Sequence, residues 1–92
     1  MTDFWPVGSV VVLRGNEKPL MIIGRLQEND GKVWDYSAVY FPEGYLDSQQ
    51  IFVFQEEDIE RVYHVGMLND DEYALRNYLS IQLAKEGEKE EE

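Results

Sequence analysis

The chain contains no cysteine, which excludes disulfides and thiolate metal centres. A secreted scaffold this small ordinarily needs such staples, so a reducing cytoplasm is the expected compartment. There is one histidine, His64, so no second imidazole exists to complete a metal site or activate a nucleophile. Long apolar runs are also missing. Val10-Val11-Val12-Leu13 is among the longest at four residues, far short of the roughly 20 that a bilayer-spanning helix requires. The start, Met1-Thr2-Asp3-Phe4-Trp5-Pro6, has no basic region leading into an apolar core, so no signal peptide is expected. Positive charge is scarce: eight Lys and Arg stand against nineteen Asp and Glu, a net charge of −11. Such a chain repels phosphate backbones and anionic headgroups, and neither nucleic acid nor a membrane is an expected partner.

What is present is enough for one core. The 92 residues are 43% hydrophobic, with six Tyr, four Phe and two Trp, well above the content of a disordered chain. One domain over residues 1–84 is expected, followed by a disordered acidic tail over residues 85–92, which hold five acids, two bases and a glycine and have nothing to bury. Charge is uneven along the chain. Residues 1–54 carry seven acids and four bases, whereas residues 55–92 carry twelve and four.

Periodicity predicts five strands and a helix. Residues 7–13 end in a β-branched run that suits a strand covered on both faces. Arg14-Gly15-Asn16-Glu17-Lys18-Pro19 reverses the chain into a second strand over residues 20–26, where Gly24 predicts a bulge. Glu28-Asn29-Asp30-Gly31 is the strongest turn signal, and after it residues 33–40 place Trp34, Tyr36, Ala38 and Tyr40 on one face of a third strand. Residues 41–49, with Pro42 and Gly44, read as a loop exposing Phe41, Tyr45 and Leu46. A short strand over residues 51–54, a helical turn at Gln55-Glu56-Glu57-Asp58 and a fifth strand over residues 59–65 come next. Asn69 then suits an N-cap, with Glu72 completing a capping box and Leu68 and Tyr73 a hydrophobic staple. Leu75, Tyr78, Leu79 and Gln82, beside Ala74 and Ile81, define the predicted buried stripe of a helix running to about Ala84. The fold class is therefore α+β: a curved antiparallel sheet of about five strands, an SH3-like partial barrel, with one C-terminal amphipathic helix on its open face.

No catalytic constellation emerges from these residues. The acids Glu56, Glu57, Asp58 and Glu60 lack the twelve-residue loop of a calcium site, and Asp35 with Glu43 has no spacing that marks an acid and base pair. Gly8, Gly15 and Gly24 do not form a phosphate-binding loop. No catalytic, cofactor or metal residues are assigned. The partner-binding candidates are Trp34, Tyr36, Tyr40, Phe41, Tyr45 and Leu46, because aromatic residues dominate interface hot spots. The alternative for most of them is the core. Phe4 and Trp5 are expected to close over the sheet.

The stretches Gly8-Ser9-Val10-Val11-Val12-Leu13-Arg14-Gly15 and Leu20-Met21-Ile22-Ile23-Gly24-Arg25 carry a resemblance. It continues through Asp35-Tyr36, Tyr40-Phe41-Pro42-Glu43-Gly44, Phe54, Asp58-Ile59 and Val62-Tyr63-His64-Val65-Gly66. Over residues 7–66 the chain resembles domain of unknown function family 4176, small bacterial proteins that accompany LXG toxins of Gram-positive type VII secretion loci. The resemblance implies a cytoplasmic, non-enzymatic helper that binds the toxin before export, as a chaperone or targeting adaptor. A second expectation is an immunity protein whose acidic half blocks a cognate toxin. A third, a small-ligand-binding or enzymatic domain, requires the fold to gather His64 with distant acids such as Asp35 or Glu57.

Overall fold

The strands form because β-branched and aromatic residues alternate or run together between turn-forming residues. The computed structural model describes the backbone of residues 4–91 and the side chains of residues 4–84. Five antiparallel strands lie in the order β4-β3-β2-β1-β5: β1 is Val10–Leu13, β2 Leu20–Asn29, β3 Lys32–Tyr40, β4 Phe52–Phe54 and β5 Ile59–His64, and the helix α1 spans Asp70–Glu91. The sheet is open, with β4 and β5 as its edges. The α+β class expected from sequence is observed. The first strand is shorter than expected, beginning at Val10 after a turn.

Asp30 and Gly31 both adopt positive φ (54° and 76°) between the paired Asn29 and Lys32. This two-residue turn has the left-handed backbone conformation at both positions that suits a hairpin. β2 and β3 consequently form the longest pairing in the sheet. The register shifts between Ile22 and Gly24, where a bulge inserts one residue and reverses the facing of the residues beyond it. Ile22 pairs with Ala38 and Arg25 with Tyr36, so Arg25 lands on the same face as the core.

That core comprises Phe4, Val11, Leu20, Ile22, Tyr36, Ala38 and Phe54. The Tyr36 ring meets Phe4 edge-on at 6.2 Å and stacks on Phe54 at 5.5 Å. Phe4 is buried and Trp5 packs against the cluster, as expected. On β1, Val10, Val11 and Val12 are all buried, so this interior strand is covered on both faces. A second close contact lies at the sheet's end, where the Gly66 N–H donates to the buried Ser9 Oγ at 2.9 Å. A Cβ on Gly66 would stand 2.3 Å from the Val7 carbonyl oxygen, so only glycine allows the chain to pass.

The helix begins as expected but faces otherwise. Asn69 Oδ1 accepts from the Glu72 N–H at 2.9 Å. The Glu72 carboxylate does not complete the capping box and instead takes both guanidinium nitrogens of Arg25, at 2.5 and 2.9 Å, and Arg76 Nε at 3.0 Å. With Glu72 and Arg76 drawn to the sheet, the next residues on that side are Leu79 and Leu83, which pack against the core. The predicted stripe is therefore corrected. Leu79 is in it, but Leu75, Tyr78 and Ile81 are exposed, as are the staple residues Leu68 and Tyr73. The helical backbone continues past the expected end at Ala84 to Glu91, into the stretch expected as a disordered tail, whose side chains lie outside the described residues.

Candidate functional site

The fold disperses the aromatic candidates. Tyr36 is wholly buried and is a core residue, because its position on β3 pairs it with β2 on one side and β4 on the other. Tyr40 is half-buried, 4.8 Å from the Phe52 ring and beneath Lys18 Nζ, which forms an exposed ion pair with Glu43. That pairing, through its hydrogen bonds, holds the Glu43 carboxyl below its usual range. Trp34 is half-buried under Lys32, with the ammonium 4.3 Å from its ring. Phe41, Tyr45 and Leu46 are exposed at 44%, 63% and 50%, as the loop reading anticipated. Tyr40 lines one apolar depression, with Leu13, Leu20 and Phe52, and Phe41 lines another, wider groove.

That groove, about 640 Å³, is lined by Gly8, Val10, Pro19, Met21, Phe41, Tyr63 and His64. β1 supplies Val10, β2 Met21 and β5 His64, since Val10 pairs with both Met21 and His64. A register shift in β5 beside Val10 leaves Tyr63 as an extra residue, 58% exposed. Sequence reasoning missed Met21, Tyr63 and His64 as a group, because the β1 to β5 pairing joins segments some fifty residues apart and has no local signature.

The two sheet edges differ. Beside β4, the Gln55 side chain continues the ladder along β3: its Oε1 accepts from the Asp35 N–H at 3.0 Å and its Nε2 donates to the Val33 carbonyl at 3.3 Å. A side-chain amide thus occupies β3 backbone groups beyond the end of β4, and β4 itself offers an edge of only three residues. β5 is six residues long, and no strand among the described residues pairs with its outer edge. The open edge and the groove adjoin at Tyr63 and His64.

A polar network lies at the other end of the sheet. The Tyr36 hydroxyl donates to Glu56 Oε2 at 2.5 Å and accepts from the Trp5 N–H at 2.9 Å, while the Trp5 indole donates to Glu56 Oε1 at 3.1 Å. The Asp35 carboxylate accepts from the Glu56 N–H at 2.8 Å. Burial first, and then its hydrogen bond to Glu56, push the Tyr36 phenol well above its ordinary pKa of 10.0. A phenol so held stays protonated and acts as a strut between the N-terminal segment and the turn at Glu56–Asp58.

His64 lies in the apolar groove, whereas Asp35 and Glu57 border a separate depression with Lys32, Gln55 and Glu56. The gathering of His64 with Asp35 or Glu57 that the third expectation requires is therefore not made. Among the described residues no three His, Asp or Glu converge in a metal-binding group, and no helix is long and apolar enough to cross a membrane.

Among curated proteins and among solved structures, nothing matches this chain. A family described as Domain of unknown function (DUF4176) matches residues 4–75. The matched span takes in the whole sheet, the groove and the first turn of α1, and the chain belongs to that family.

Proposed function

We propose that this chain is a non-enzymatic binding domain that works in the cytoplasm, holding an LXG-type toxin as a chaperone or targeting adaptor before type VII export. The observation that supports this reading is the apolar groove joined to an unpaired edge strand. An extended segment of a partner would pair with the outer edge of β5 and, where it leaves that edge beside Tyr63, continue across the groove toward Met21 and Phe41, a mode in which backbone hydrogen bonds supply affinity and pockets supply specificity. The toxin as partner rests on the family resemblance.

The test is co-expression with an LXG protein encoded beside it. The two should co-elute, and Phe41→Ser with Tyr63→Ser should release the toxin while leaving the fold intact, because both side chains are exposed. Failure of the native pair to co-elute would sink the proposal. An immunity role is the second reading, favoured by the twelve acids of residues 55–92 and by Asp35, Glu56 and Glu57 around one depression. It predicts protection of cells from intracellular toxin, whereas a chaperone leaves toxin activity intact.

A further inference from the structure

The outer surface of α1 has an unusual composition for this protein. Charged residues make up 29% of the chain, yet between Tyr73 and Ala84 the only one is Arg76, and it is bound to Glu72. Exposed apolar groups stand there instead: Leu75, Tyr78 and Ile81 are 43%, 57% and 46% accessible. With about 100° between successive residues, these three, Ala74 and Gln82 fall within a sector of about 120° beside the sheet-packed side. Met67 and Leu68, just before the helix, are also exposed. A ridge of side chains at three- and four-residue spacing is the surface that another helix packs against.

We propose that this face of α1 docks an amphipathic helix of a second protein, one whose apolar stripe is flanked by lysine or arginine. Charge selects this occupant over another copy of the chain. Each copy carries −11. Along the helix axis the stripe runs from Asp70 and Asp71 at its N-terminal end to a sequence with five acids and two bases over residues 85–92 at the other. Whether two copies paired their helices parallel or antiparallel, acid would face acid, while a basic helix is drawn in. The family match ends at residue 75, so Tyr78 and Ile81 lie beyond the matched span. This surface is separate from the β5 groove, and each can be lost without the other.

The experiment uses the full chain and a synthetic helical peptide with leucines at three- and four-residue spacing flanked by lysines, followed by fluorescence anisotropy. A second peptide carries glutamates in place of the lysines. The lysine peptide should bind, and the double variant Tyr78→Gln, Ile81→Gln, which leaves net charge unchanged, should weaken binding by about tenfold or more. Phe41→Ser with Tyr63→Ser should bind as the native chain does. Circular dichroism of the Gln variant, unchanged in helix content, confirms the fold. Equal binding of the glutamate peptide, or undiminished binding by the Gln variant, overturns the proposal. So does sedimentation of the chain alone as a dimer that the Gln variant dissociates, which assigns the face to a second copy.

Discussion

Replacing Arg25 by Ala should be among the most damaging single substitutions in this protein. The Arg25 and Glu72 side chains are 3% and 9% accessible, and two hydrogen bonds of 2.5 and 2.9 Å join them. Truncating one partner of a buried ion pair leaves an uncompensated charge and typically costs about 3–5 kcal/mol. Here Arg76 stays 3.0 Å from the same carboxylate, so the lower end, about 3 kcal/mol, is expected. A domain of this size has a total stability of roughly 5–14 kcal/mol, so the loss is a large share. With a urea m-value of about 1–1.5 kcal/mol/M, the unfolding midpoint should fall by about 2–3 M, read from Trp fluorescence. The double replacement Arg25→Met, Glu72→Leu removes both charges and should recover most of the loss, because a well-packed apolar pair often equals the ion pair it replaces. A cost below about 1 kcal/mol for R25A, or a double variant no more stable than R25A, would refute the idea that this pair anchors the helix to the sheet.

Gly66→Ala should destabilise by about 2–3 kcal/mol in the same urea assay, since its Cβ would overlap the Val7 carbonyl at 2.3 Å and neither backbone segment can yield freely. On the alkaline side, Tyr36 has a folded pKa raised above 10.0, so its stabilisation is complete below pH 10 and is lost as pH rises beyond it. Tyr36→Phe should flatten that limb of the stability curve, and an unchanged slope would count against it. On the acid side, burial raises the Glu72 carboxyl, but the hydrogen bonds and charge of Arg25, and then of Arg76, outweigh it and hold it below its ordinary 4.5. Its contribution is present above that value and is lost as pH falls through the lower folded pKa. The E72Q variant should therefore show a shallower acid limb in urea midpoints measured against pH.

Much of the architecture was legible locally. The Asp30-Gly31 hairpin, the Gly24 bulge, the helical turn near Glu56 and the Asn69 cap each depend on one or two residues whose backbone preferences or side-chain oxygens act on their immediate neighbours. The candidate site was less legible. Phe41, Tyr45 and Leu46 were recognised as exposed from their loop, but Tyr36 and Ala38 share a face with neighbours that only the pairing of β3 with β2 and β4 could reveal as core. The buried stripe of α1 was misjudged for a related reason. Hydrophobic periodicity favoured Leu75 and Tyr78, whereas the bulge carried Arg25 to the inner face and its bond with Glu72 set which side of the helix turned inward.

The motifs of the family divide in the same way. Gly8-Ser9 and Gly66 look like separate turn signals in the chain, and the folded protein joins them where Ser9 Oγ accepts from the Gly66 N–H. From sequence alone came the absence of thiol and paired-histidine chemistry, the acidity of the C-terminal half, the number of strands and the start of the helix, because composition, charge and short-range backbone preference need no partner from elsewhere in the chain. Tertiary structure alone decided that β5 adds to β1 beside an apolar groove, that Tyr36 serves the core, and that Leu75, Tyr78 and Ile81 face outward, because each depends on contacts between residues distant in sequence.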